Sequence, residues 1–214
     1  MKKMIFTILI FIIVFLIYFF NINTKVYYVS IGDQISYGIN NLGKVENNYA
    51  DNIKKKYGNN LLKYINYSNI EDYRVMDLIN DINYNKEYIY KKKKYKLQNT
   101  LIKSNHMIIS IGMNDIINKN KLSYNYIDEL LINIEQLFIL LRKYNKDRID
   151  YLSFYNSINN KELITYTKNR LKKLCKKYKI NYIDISKLNN YMVNNNPNNN
   201  GYLYITNKIL NFTK

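Results

Sequence analysis

The chain has 214 residues, 47% of them hydrophobic, which is enough for one domain with a substantial core; its single cysteine excludes an internal disulfide. Its formal net charge of +17 comes from 33 Lys and Arg against 16 Asp and Glu, scattered except for the run "YKKKKYK" at residues 90 to 96. No zinc-ligand spacing, RNA-binding aromatic signature or helix-turn-helix pattern accompanies that charge. It therefore reads as a solvated basic surface with no nucleic-acid partner expected, suited to anionic envelope polymers or lipid head groups.

"MKKMIFTILIFIIVFLIYFF" opens the chain with Lys2 and Lys3 and continues with an uncharged apolar run from Met4 to Phe20. At ~1.5 Å per residue that run is just long enough to cross a bilayer core. The following "NINTKVYY" has no small-residue cleavage site, and no cysteine lies nearby to carry a lipid. Residues 1–24 are read as a signal anchor, with a cleaved signal peptide as the second reading. The cationic end stays in the cytoplasm, which places residues 25–214 outside it.

Strand-like and helix-like segments then alternate. "KVYYVSI" (25–31) reads as a buried strand ending at Gly32, and "NYADNIKKKYG" (48–58) as a helix stopped by Gly58. "LLKYINY" (61–67) is a second strand, "RVMDLINDI" (74–82) a helix, and 86–96 a basic linker leading into the short helix "LQNTLIKS". "HMIISI" (106–111) is the third strand. A long helix over 124–145 follows, with Ile127, Leu130, Leu131, Ile134, Leu137, Phe138 and Leu141 at helical spacing. "RIDYLSFY" (148–155) is the fourth strand, 162–179 a helix in which Cys175 is a packing residue, 180–185 the fifth strand, and 200–212 a last helix beginning at Gly201.

This alternation predicts an α/β domain, a doubly wound, flavodoxin-like sheet of five parallel strands covered on both faces. In such sheets the functional crevice lies beyond the carboxyl ends of the strands. Gly32-Asp33-Gln34, Gly112-Met113-Asn114 and Tyr155-Asn156 follow strand ends, so all three are expected to open onto it. Asp33, Gln34, Tyr37, Gly112, Asn114 and Tyr155 belong to the expected binding crevice. Tyr37 and Tyr155 are the first candidates to offer aromatic area with a polar tip to a sugar or acyl group.

In order and placement the motifs resemble those of the SGNH (GDSL) hydrolases. "SIGDQISYG" matches the family's Gly-Asp-Ser block, "SIGMNDI" its Gly-x-Asn-Asp block, and "VNNNPNNNGYLYITNKI" the frame of its Asp-x-x-His block. The resemblance spans residues 25 to 212 and implies ester hydrolysis by a Ser nucleophile, a His base and an orienting Asp, with an oxyanion hole that includes the Asn of the third block.

The side chains depart from that pattern. Gln34 stands at the Ser position, Val193 at the orienting Asp position and Asn196 at the His position, which by the resemblance adds Asn196 to the binding crevice. Asp72 stands near the oxyanion-hole Gly of the second block, and only Asn114 keeps its identity. The lone histidine, His106, opens the third strand ~20 Å from the crevice, which makes it a strand-end residue rather than a general base. A dyad built on Ser36 lacks a recommended lysine. Asp33 and Asp115 are too few carboxylates for Mg²⁺, so neither metal nor cofactor is expected.

The first functional reading is a membrane-anchored, extracytoplasmic pseudoenzyme that binds an envelope acyl or sugar component or a protein partner. The second is a weak ester hydrolase acting on lipid or acetyl-sugar esters through non-standard residues. The third is an interaction module whose basic surface, Lys91 to Lys94 foremost, carries the function. Oligomeric state and ligand identity stay open at this point.

Overall fold

The computed structural model describes residues 2–22, 25–69, 72–117, 122–155, 161–193 and 196–212. Helix α1 (Lys2–Ile22) forms over the apolar run, and its side chains from Phe6 to Leu16 are exposed all round. Among the described residues no helix is long and apolar enough to cross a membrane.

The domain is organised by short strands whose residues are buried on both faces. Strand β1 (Val26–Gly32) is followed by α2 (Gln34–Tyr37), α3 (Tyr49–Tyr57) and β2 (Leu61–Ser68). Then come α4 (Val75–Asn83), a hairpin of β3 (Glu87–Tyr90) and β4 (Lys93–Lys96), α5 (Leu97–Lys103), β5 (His106–Ser110) and α6 (Met113–Ile117). Helix α7 (Tyr124–Tyr144), β6 (Arg148–Leu152), α8 (Lys161–Lys177), β7 (Asn181–Ile183), a two-residue ladder of β8 (Met192–Val193) and β9 (Asn196–Pro197), and α9 (Asn199–Asn211) complete it.

Five strands pair in the order β2-β1-β5-β6-β7, all parallel, which is the expected doubly wound order. Every residue of β5 is buried, as a central strand with helices on both faces requires. Helix α3 packs with α9, while α4, α5, α7 and α8 pack on one another, giving the two helical layers. All seven apolar positions expected to face the core from α7 do so. Cys175 is buried and burial pushes its thiol up to about 12, so it packs and does not react.

Two local readings need correction. The basic linker at 86–96 is a β-hairpin. Lys91 and Lys92 take φ values of 49° and 63° at its turn, the left-handed pair that a tight hairpin needs, without the Asn-Gly signal that would have announced it. What holds it down is alternation: Tyr88 and Tyr95 stack with ring centroids 5.7 Å apart, and the lysines between them point outward. Helix α9 begins at Asn199 rather than Gly201, because the Asn198 side chain accepts from the Gly201 amide and caps it.

Candidate functional site

The chain order reverses between β1 and β5, so their carboxyl ends flank the crevice of the sheet. Gly32 ends β1 opposite Ser110, and a Cβ there would sit 2.0 Å from the Ser110 carbonyl oxygen. Only glycine lets the two strand ends approach this closely. Gly112 takes φ 105° after β5, where a Cβ would meet the Phe154 ring at 2.9 Å. The two glycines of the motifs are thus explained by backbone geometry alone.

Asp33 follows Gly32. Its amide donates to the Ser110 carbonyl at 2.9 Å, and its Oδ1 accepts from the Ile35 amide at 3.1 Å and the Ser110 hydroxyl at 3.4 Å, capping α2. Burial pushes its carboxyl up to about 7. Gln34, half-buried, is the first residue of α2, and Tyr37 is the half-buried last one. Asn114 is buried on α6 and donates from Nδ2 to the Tyr73 carbonyl at 3.1 Å. Next to it, Asp115 accepts from the Val75 amide at 3.2 Å, and burial lifts its carboxyl to about 6. Among the described residues no group of three or more His, Cys, Asp or Glu could hold a metal ion.

Tyr155 is buried beyond β6, and its hydroxyl has no hydrogen-bond partner among the described residues. Burial raises its phenol, and the nearby Asp33 carboxylate adds to the shift. Asn156 lies outside the described residues. Asp72 is exposed at φ 35°, the left-handed region that favours glycine, and its carboxylate pairs with Arg74 at 2.6 Å. The Asp72 charge is therefore neutralised rather than left open to repel an anion.

Val193 and Asn196 face each other across the β8–β9 ladder, Val193 exposed and Asn196 half-buried. This hairpin leads into α9, whose Tyr202 donates its hydroxyl to the Ile39 carbonyl at 2.7 Å, just past α2. That bond ties the last motif's helix to the segment that follows the first motif. Tyr202 went unnoticed in the sequence, where it is one of 24 tyrosines.

Ser36 is fully buried. Its hydroxyl pairs with the Tyr49 hydroxyl at 2.5 Å, and Tyr49 also reaches Ser30 at 3.2 Å, so Ser36 is an interior pin. His106 is buried at the amino end of β5, away from the crevice, with Nε2 2.9 Å from Asp150 and Nδ1 bonded to the Tyr57 hydroxyl. A carboxylate can only accept, so Nε2 carries the proton and Nδ1 accepts from Tyr57.

No protein-family model and no curated protein matches the sequence. Solved structures do match. An acetyl xylan esterase superposes with a TM-score of 0.63 at 13% identity, covering 87% of this chain and 99% of that one. A member of the lipolytic G-D-S-L family from Veillonella parvula gives 0.62 at 15% identity over 87% and 98%. The fold is that of the SGNH/GDSL hydrolases. A lipase/acylhydrolase from Enterococcus faecalis has it too, with a TM-score of 0.60 at 14% identity over 86% of this chain and 93% of that one. At these identities the SGNH/GDSL likeness is one of backbone, and the chemistry of the crevice has to be argued from its own residues.

Proposed function

We infer that this SGNH-fold protein binds at its crevice without cleaving, held at a membrane by α1 with the domain on the extracytoplasmic side. One observation carries the loss of hydrolysis: the crevice ends of β1 and β5 present no imidazole among the described residues, and the Ser110 hydroxyl there meets only the Asp33 carboxyl, at a long 3.4 Å. Gln34 offers an amide with no ionisable proton near neutral pH. Ser36 is consumed by Tyr49, and the only histidine is committed to Asp150 and Tyr57 at the far end of the sheet. A hydroxyl without a base is a weak nucleophile, so neither half of an acyl-transfer centre is in place.

Two features suit binding. The Tyr155 hydroxyl has no hydrogen-bond partner among the described residues, and beside α9, apart from the crevice residues named above, a cavity of about 570 Å³ is lined by Val45, Glu46, Asn47, Asn52, Asn199, Tyr202 and Leu203. Three amides and the Glu46 carboxylate beside the apolar Val45 and Leu203 suit a hydroxylated ligand, such as an envelope sugar. From Phe6 to Leu16 the side chains of α1 are exposed all round and, Thr7 apart, apolar, which suits a helix embedded in a bilayer better than one of a water-soluble domain.

A fluorophosphonate probe tests the inactive reading on the purified full chain. No labelling is expected under conditions that label an active serine esterase to completion. One-to-one labelling would overturn the reading in favour of a weak ester hydrolase, for which Ser110, hydrogen-bonded to Asp33, is the hydroxyl to look for.

A further inference from the structure

β1 enters the sheet from the side on which the chain leaves α1. From Ile22 to Tyr27 the chain can span at most ~18 Å, so the amino-terminal edge of the sheet lies close to the end of that helix. At this edge a cavity of about 370 Å³ opens between Tyr27, Lys63, Lys94, Tyr95, Lys96 and Lys103. These residues come from β1, β2, and the adjoining hairpin strand β4 and helix α5.

The cavity wall is built around an ordered ammonium. Tyr27 and Lys63 are register partners in the sheet, and Lys63 Nζ lies 4.4 Å from the Tyr95 ring centroid and 5.5 Å from that of Tyr27. Two aromatic faces therefore hold this charge in place. Lys94 pairs with Glu87 at 3.0 Å, whereas Lys63, Lys96 and Lys103 have no carboxylate partner among the described residues. Four lysines against one glutamate leave the pocket strongly cationic. Lysine ammonium groups act as point charges, and several of them around one pocket suit the spread negative charge of a phosphate.

We propose that this pocket takes the phosphate of an anionic phospholipid head group in the leaflet that holds α1. The domain thereby stands on the membrane by the amino-terminal edge of its sheet. This rests on the anchor reading given above. The short tether favours a lipid of the same leaflet over a soluble phosphate, because it keeps head groups at high local concentration beside the pocket. The consequence is orientation: β1 has seven residues, so the crevice at the other end of the sheet is held roughly 20 Å further out, facing away from the bilayer.

The test uses the full chain in nanodiscs of phosphatidylcholine or of phosphatidylglycerol, with amide hydrogen exchange read over residues 87–103. Exchange there is expected to be about tenfold slower in phosphatidylglycerol. The protection should disappear in K63Q/K94Q/K96Q/K103Q, at about fivefold in head-group affinity per lysine, and persist in the charge-matched control K44Q/K172Q/K173Q/K187Q. Release of the chain from the discs by alkaline carbonate would overturn the anchor reading. Retention with equal exchange in the two lipids would overturn the pocket and leave the anchor standing. Equal loss in the control variant would reduce the effect to diffuse attraction and overturn it as well. If soluble glycerol phosphate protects the segment in phosphatidylcholine discs as strongly as the anionic lipid does, the ligand is a free phosphate and the lipid-docking proposal fails.

Discussion

His106 Nε2 stands 2.9 Å from Asp150 Oδ2, on neighbouring strands at the end of the sheet opposite the crevice. Asp150 is fully buried and also accepts from Arg148 Nε at 3.0 Å and Nη2 at 2.5 Å, and from Asn181 at 2.8 Å. Burial works to raise the Asp150 carboxyl, but the bonds and charges of His106 and Arg148 hold it below the usual carboxylate range. Burial also holds His106 below its ordinary value, so the ring is neutral. The only imidazole of the chain is thus spent on joining β5, β6, β7 and, through Tyr57, α3.

Removing the acceptor should expose that role. Asp150→Ala leaves the Arg148 guanidinium and the His106 N–H without a buried partner and is expected to cost about 3–5 kcal/mol. Urea denaturation of the variant would measure it, and a loss below about 1 kcal/mol would contradict the buried network.

The pH dependence of stability follows with a definite sign. His106 is held below 6.5 when folded, so the unfolded chain takes up its proton first and stability falls as pH drops below 6.5 towards the folded value. His106→Gln should flatten that fall, measured as thermal midpoint against pH.

Asp33 works in the opposite direction. Its folded carboxyl titrates at about 7 against an ordinary 3.8, so the unfolded chain ionises first and stability declines as pH rises from 3.8 to about 7. Asparagine can still accept from the Ile35 amide. Asp33→Asn is therefore expected to raise the thermal midpoint above pH 7 by several degrees, and to leave it unchanged below pH 3.8.

The close approach of β1 and β5 makes Gly32 the most sensitive crevice position. Gly32→Ala would drive a methyl to 2.0 Å from the Ser110 carbonyl. A loss of about 3 kcal/mol or more is expected, because both atoms belong to strand ends that cannot move apart without breaking the ladder. Wild-type stability in the variant would mean the strands do not meet as described.

Restoring chemistry should require the whole constellation. Gln34→Ser by itself supplies a hydroxyl without a base and is expected to stay unlabelled by a fluorophosphonate. Val193 and Asn196 face each other across the β8–β9 ladder, so Gln34→Ser combined with Asn196→His and Val193→Asp rebuilds base and orienter together. Labelling by the triple variant alone is the expected outcome. Labelling by the single variant would show that another group in the crevice already serves as base.

How much of this was legible beforehand depended on whether the information is local. Strand and helix order, the apolar face of α7 and the turns at Gly32 and Gly112 are written in periodicity and in residues with special backbone freedom, so they could be read from the chain. The β3–β4 hairpin was not. Its turn uses lysines in a left-handed conformation, and the lysine run masked the Tyr88–Tyr95 alternation that pairs the strands. The departures at Gln34, Val193 and Asn196 were also visible in the sequence, because each is a matter of identity at a motif position.

The sequence by itself determined the order of the sheet and the absence of serine and histidine from the motif positions, since apolar period and residue type are properties of the chain alone. Only the tertiary structure decided where the remaining polar groups went. It sent Ser36 inward to Tyr49, paired His106 with Asp150 forty-four positions away, and gathered Lys63, Lys94, Lys96 and Lys103 around two tyrosine rings. A hydroxyl, an imidazole or an ammonium group is catalytic, structural or ligand-binding according to its burial and its partners. Those partners come from strands and helices that are neighbours in space and strangers in sequence.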